Sequence, residues 1–151
     1  MLKTEKQTIV EFLGKTDVKK KIMNGLAEKL RKEGHSVAII EDCKESLPEE
    51  LKKCEDLEAV NLWIHFQIQS EIILALSAGV EYILIERGIK QTELEFDELL
   101  KNGKISQEKR DNFKRLILRE FKSDKVIDLE KQKKWLDFID IIIPLLKLHR
   151  G

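Results

Sequence analysis

Thr8-Ile9-Val10-Glu11-Phe12-Leu13-Gly14-Lys15-Thr16-Asp17-Val18-Lys19-Lys20-Lys21 is the stretch on which the fold turns. Its first six residues are a short apolar, β-branched run that stops at Gly14, the pattern of a buried strand ending in a turn. Beyond the turn, Ile22, Met23, Leu26, Ala27 and Leu30 recur at helical spacing, which predicts an amphipathic helix over residues 18–33 closed by Gly34. Residues 36–40 are again short and β-branched. Strand, helix, strand in that order is the mark of a parallel crossover, so the sheet is expected to be parallel.

The same reading extends down the chain. Residues 47–55 predict a charged surface helix with Pro48 in its first turn. Val60, Trp63, Ile64, Ile72, Leu74 and Leu76 predict a long helix over 57–78, with Gly79 as its cap. Residues 80–85 form the most apolar strand candidate and run into Glu86-Arg87-Gly88. Thr92 and Glu95 have capping-box spacing ahead of Leu94, Phe96, Leu99 and Leu100, a helix expected to stop at Asn102-Gly103. Ser106 caps a further helix that turns Phe113, Leu116, Ile117 and Phe121 inward and carries Arg115 and Arg119 one turn apart. Residues 124–129 read either as a strand or as a helix lead-in, and residues 138–143 as a strand ended by Pro144. The expected architecture is a single α/β domain over residues 1–151, a three-layer sandwich around a mainly parallel sheet of four or five strands.

Composition limits the function classes. With 42% hydrophobic and 37% charged residues among 151, the chain can bury one core under a charged surface. Its formal net charge of +0 gives no global attraction to nucleic acid or to an anionic membrane, so neither is an expected partner. Charge or Pro interrupts each apolar stretch before the roughly 18 residues that a spanning helix needs. Residues 1–7 are polar, unlike a secretory leader. Cys43 and Cys54 are the only cysteines and lie in no CxxC pair, which fits a reduced, cytoplasmic setting and no metal site.

Gly14 to Lys21 also falls in the frame GxxxxGK[ST], in which glycines let backbone N–H groups approach phosphate, the lysine pairs with it and the hydroxyl holds magnesium. Gly14 and Lys20 match. Lys19 stands at the second glycine and Lys21 at the hydroxyl position, where an ammonium has nothing with which to ligate a cation. The expected phosphate contacts are therefore Gly14, Lys15, Lys19, Lys20 and Lys21. A solvated basic face is the alternative for the three lysines, although cations at a helix N-terminus are unfavourable unless an anion compensates them.

Together with Tyr82-Ile83-Leu84-Ile85-Glu86-Arg87-Gly88, an apolar strand followed by an acid-Arg pair, this frame resembles the P-loop kinases, in particular thymidylate-kinase-like and deoxynucleoside-kinase-like proteins and the predicted ATP-binding proteins that share their Asp-Arg-Gly signature. The resemblance covers residues 8–121 and implies a P-loop NTPase-like fold with ATP and magnesium as cofactors. It places Glu86 near the metal or acceptor phosphate, Arg87 on substrate phosphate, Glu41 as general base, and Arg115 and Arg119 on a lid-like helix. Family members continue past the strand at 138–143, so the resemblance also implies a shortened C-terminal region.

With its altered loop, the chain is expected to be a degenerate kinase-like protein that binds a phosphorylated small molecule or an anion weakly. Two alternatives stay open: a non-catalytic scaffold that homodimerises, and an active phosphotransferase with a lysine-rich loop. Glu86-Arg87 reads equally as an intramolecular ion pair. His35 and His65 read as surface and helix-packing residues, with His149 in the tail, and Trp63 and Phe66 as core. Trp135 is left without a role. The apolar run 141–146 either completes the sheet or offers an edge to a second copy.

Overall fold

The computed structural model describes residues 3–117, 121–131 and 143. Four parallel strands form one sheet in the order β2-β3-β1-β4, where β1 is Thr8–Leu13, β2 Val37–Ile40, β3 Tyr82–Ile85 and β4 Lys125–Asp128. β1 and β3, each buried along its whole length, hold the centre with Thr8 opposite Tyr82. β2 pairs with β3 and β4 with β1. Strands buried on both faces carry continuous apolar runs, as Tyr82-Ile83-Leu84-Ile85 does.

Alternation along the strands assigns the two faces. Val10, Phe12, Tyr82 and Leu84 point to one side, where helix α1 (Thr16–Lys32) covers them with Ile22, Met23, Leu26, Ala27 and Leu30. Leu129 and Ile143 join that layer. Ile9, Ile83 and Ile85 point to the other side, packed by Ile64, Ile68, Ile72 and Leu76. After β2 come a 3-10 turn at Cys43–Ser46 and the one-turn helix α2 (Glu49–Lys52), then α3 (Leu57–Ser77) on this second face. A smaller cluster, in which Phe96 stacks on Phe113 alongside Ile89, Ile105 and Ile117, ties α4 (Ile89–Lys101) to α5 (Gln107–Leu116).

Several expectations are corrected. Thr92 does not begin its helix: α4 starts at Ile89 with Gly88 at the N-cap, and Thr92 is buried within it. The start lies earlier because a side chain from β1, Glu11, accepts the free N–H groups of the first turn, so no local capping box is needed. Leu74, Phe66 and Leu116 are exposed rather than core. α3 is apolar nearly all round, so its period does not mark which side meets the sheet. Residues 124–129 resolve as β4 and a 3-10 turn. Of the strand expected at 138–143 only Ile143 is described, and it is helical and buried; the rest, with Arg119, Trp135 and His149, lies outside the described residues.

Candidate functional site

The C-terminal ends of parallel strands are where a sheet of this kind gathers chemistry, because the loops there converge on one edge. β1 leads into Gly14, whose φ of +135° suits glycine, and a Cβ there would meet the Leu129 Cβ at 3.2 Å. Only Gly14 and Lys15 separate β1 from α1, and residues 16–21 are already helical. Lys15 is the N-cap and provides no side-chain cap. The eight-residue phosphate frame is therefore two residues of connection followed by a turn and a half of helix.

The lysines divide by helix geometry. Lys15 and Lys21 are exposed and Lys20 half-buried, whereas Lys19 turns inward at 4% exposure and donates from Nζ to the Glu86 carbonyl at 2.9 Å. Burial pulls the Lys19 ammonium below its usual pKa, and Glu86, Glu11, Glu95 and Asp42 act in the opposite sense. Glu86 is itself buried; Oε2 accepts the Asp42 backbone N–H at 2.9 Å, while Oε1 has no hydrogen-bond partner among the described residues.

Arg87 is buried beneath α3 and α4. Nη2 donates to Asn61 Oδ1 at 2.5 Å, Nη1 forms an ion pair with Glu95, and Asp42 Oδ2 lies 4.0 Å from Nη1. Asn61 is fixed in turn by donating to the Leu57 carbonyl at 2.8 Å. His65, one turn along α3, is buried, and burial with the neighbouring Arg87 charge lowers its pKa to about 4. The imidazole is thus neutral at physiological pH.

Glu11, in the middle of β1, carries a carboxylate that takes the place of an anion at a helix start. It accepts from the Gln91 N–H at 2.7 Å, the Lys90 N–H at 3.3 Å and Ser123 Oγ at 3.1 Å. Gly88 makes room for it: a Cβ there would lie 2.3 Å from Glu11 Oε1. The glycine of the Glu-Arg-Gly sequence thus has a steric reason.

Four carboxylates (Glu11, Asp42, Glu86, Glu95) surround two cations (Lys19, Arg87), and both cations have internal partners. Of the sequence candidates, Lys19, Glu86 and Arg87 come together. Glu41 is exposed while its neighbour Asp42 turns to the cluster, and Arg115 is exposed in the last turn of α5. Sequence reasoning passed over Glu11, Asp42, Asn61, His65 and Glu95. Some signal was there, since Glu11 is a lone charge inside an apolar strand, and Asn61, His65 and Gln69 repeat at four-residue spacing on the buried side of α3. Among the described residues no group of three or more His, Cys, Asp or Glu could hold a metal ion. The connection between β1 and α1 is two residues long, and Lys21, at the hydroxyl position of the frame, is exposed.

Clefts open near these elements, two of them of similar size. One of about 450 Å³ is bounded by Lys15, Val18, Leu129 and Glu130 beside the start of α1. Another, of about 480 Å³, lies between α3, α4 and the turn after β2, with Asn61 and Glu95 among apolar walls.

No protein-family model matches the sequence, and no curated protein does. Solved structures are similar in fold. The crystal structure of APE1195 superposes with a TM-score of 0.58 at 17% identity, over 98% of this chain and 99% of that one. The structure of the Mycobacterium tuberculosis APS kinase CysC, in a cysteine-to-alanine variant, superposes with a TM-score of 0.54 at 12% identity, over 93% of this chain and 98% of that one. With its four-stranded parallel sheet between helical layers, the chain has a P-loop kinase-like fold.

Proposed function

We propose that this chain is a kinase-fold protein that binds a phosphorylated small molecule or another anion weakly, at the start of α1, without transferring phosphoryl groups from a nucleoside triphosphate. The two-residue connection Gly14-Lys15 carries the reading. Phosphoryl transfer rests on positioned backbone donors and cations around the transferred group. Here the backbone donors are reduced to the free N–H groups of one helical turn, and the inward cations are held by Glu86, Glu95 and Asn61. What remains for an anion is that turn with Lys15, Lys20 and Lys21 around it, opposed by Asp17.

The burial of Arg87 against Asn61 and Glu95 also favours a second reading, in which the cluster is structural and the protein acts as a scaffold. Thermal unfolding with inorganic phosphate, dTMP or magnesium-ATP separates the two. A ligand at 100 times its dissociation constant adds about 2.7 kcal/mol to the native state. Stabilisation by phosphate and dTMP that is lost in Lys15→Ala/Lys20→Ala, with no ATP turnover, supports weak anion binding. Absence of any shift refutes it in favour of the scaffold. Turnover of ATP refutes both.

A further inference from the structure

Two stripes of side chains meet at the cleft between α3 and α4. Leu57, Val60, Asn61 and Ile64 recur at helical spacing on α3, and Glu95, Glu98 and Leu99 do so on α4, so each set occupies one side of its helix. Leu47 and Lys44 join them from the segment after β2. The space between is about 480 Å³, within the range of roughly 300–1,000 Å³ that small-molecule sites occupy. Its surroundings are acidic. Residues 41–58 and 89–101, which lead into α3 and form α4, hold 12 Asp or Glu against 5 Lys, a net charge of −7 in a chain whose formal net charge is +0. Arg110 and Lys114 of α5 answer Asp97, and Lys44 lies 3.9 Å from Asp42. Glu98 is exposed and belongs to no ion pair among the described residues.

Behind the wall stands a donor with spare capacity. The terminal nitrogens of Arg87 reach Asn61 and Glu95, both on the cleft. Arg87 is 2% exposed, yet Nε and Nη1 have no hydrogen-bond acceptor among the described residues. A buried N–H without an acceptor is costly, so an oxygen supplied from the cleft would be held in that direction. We propose that this cleft binds a small organic amine, with an apolar body against Leu47, Leu57, Val60, Ile64 and Leu99, its ammonium at Glu98, and a hydroxyl or carbonyl oxygen toward Asn61 and Arg87. The three features select together. A carboxylate or phosphate meets the repulsive field of the acidic segments around the cleft, which lowers both its encounter rate and its affinity. A plain hydrocarbon leaves the Arg87 donors unmet. A small polar amine gains nothing from the aliphatic walls. This site does not depend on the anion proposed at α1, because α3 and α1 cover opposite faces of the sheet.

Phenylalaninol, hydrocinnamate, phenylethanol and ethanolamine test it, since the first three share a phenyl body and differ in head group, while the last keeps the amino-alcohol head without the body. Each is titrated into the full chain and followed by backbone amide shifts in heteronuclear NMR. Phenylalaninol should saturate below ~10 mM, move the amides of residues 57–64 and 95–99, and bind about fivefold or more tightly than the other three. Raising the salt should weaken it. Glu98 is exposed, so Glu98→Lys should keep the melting temperature while weakening phenylalaninol about tenfold. Failure to saturate overturns the proposal, as do shifts confined to other parts of the chain. Hydrocinnamate or ethanolamine binding as tightly as phenylalaninol overturns it too, and so does an affinity for phenylalaninol that Glu98→Lys leaves unchanged.

Discussion

Replacing Gly88 by alanine adds one methyl group, and the structure says what that group meets. Its carbon would lie 2.3 Å from Glu11 Oε1, 2.5 Å from Glu11 Cδ and 2.8 Å from Ile85 Cδ1. The backbone does not object, since φ is −111° and any residue adopts that conformation. The end of Ile85 can move, whereas the Glu11 carboxylate cannot do so without releasing Lys90, Gln91 and Ser123. Overpacking costs about 1–3 kcal/mol, and a lost hydrogen bond to a charged group about 1.5–3 kcal/mol. A more restricted unfolded chain returns about 0.4–1 kcal/mol. The net expectation is a loss of about 2–4 kcal/mol. At about 2–4 °C per kcal/mol for a chain of this size, the melting temperature should fall by roughly 5–15 °C. Urea unfolding followed by circular dichroism measures it, and a double-mutant cycle with Glu11→Ala isolates the contact. In the Glu11→Ala background the same substitution should cost at least about 1 kcal/mol less. Equal cost in both backgrounds, or a Gly88→Ala variant within about 0.5 kcal/mol of the parent, would show that Glu11 does not lie against Gly88.

Lys19→Met keeps the length of the stem and removes the cation between Glu86, Glu11, Glu95 and Asp42; it should destabilise by about 3 kcal/mol. Lys20→Met, on the partly exposed neighbour, should stay within about 0.5 kcal/mol, and the contrast is read by urea titration. His65 supplies a pH dependence. Its folded pKa of about 4 lies below the ordinary histidine value of 6.5, so the unfolded chain takes up the proton first as pH falls. Stability should therefore be full above about pH 6.5 and decline between there and about pH 4, by up to ~3 kcal/mol from this group. His65→Gln should flatten that slope in unfolding titrations at pH 7, 6 and 5.

The layered fold was legible in local pattern. Strand-turn-helix at residues 8–33 and the run 82–85 specify parallel strands and their crossover helices, because apolar periodicity and the punctuation at Gly14, Gly34 and Gly79 are properties of neighbouring residues. The kinase-like frame was legible as residues and not as geometry. Gly14 to Lys21 can be aligned to a phosphate loop on paper, yet helix formation from Thr16 turns most of that frame into α1.

What only the tertiary structure decided was which charge meets which. The sequence by itself determined three of the four strands, β1, β2 and β3, with the crossover helices and the presence of lone polar residues, Glu11 and Asn61 among them, inside apolar segments. The packing of β1, β3, α1, α3 and α4 then brought Glu11 to the start of α4 and Asn61 to Arg87, residues 79 and 26 positions apart for the Lys90 and Arg87 contacts. It also placed Glu95 on Arg87 and turned Lys19 inward in preference to Lys20. A buried charge is stable only against partners that reach it through space. Those partners are set by how the layers pack, and spacing along the chain does not record it.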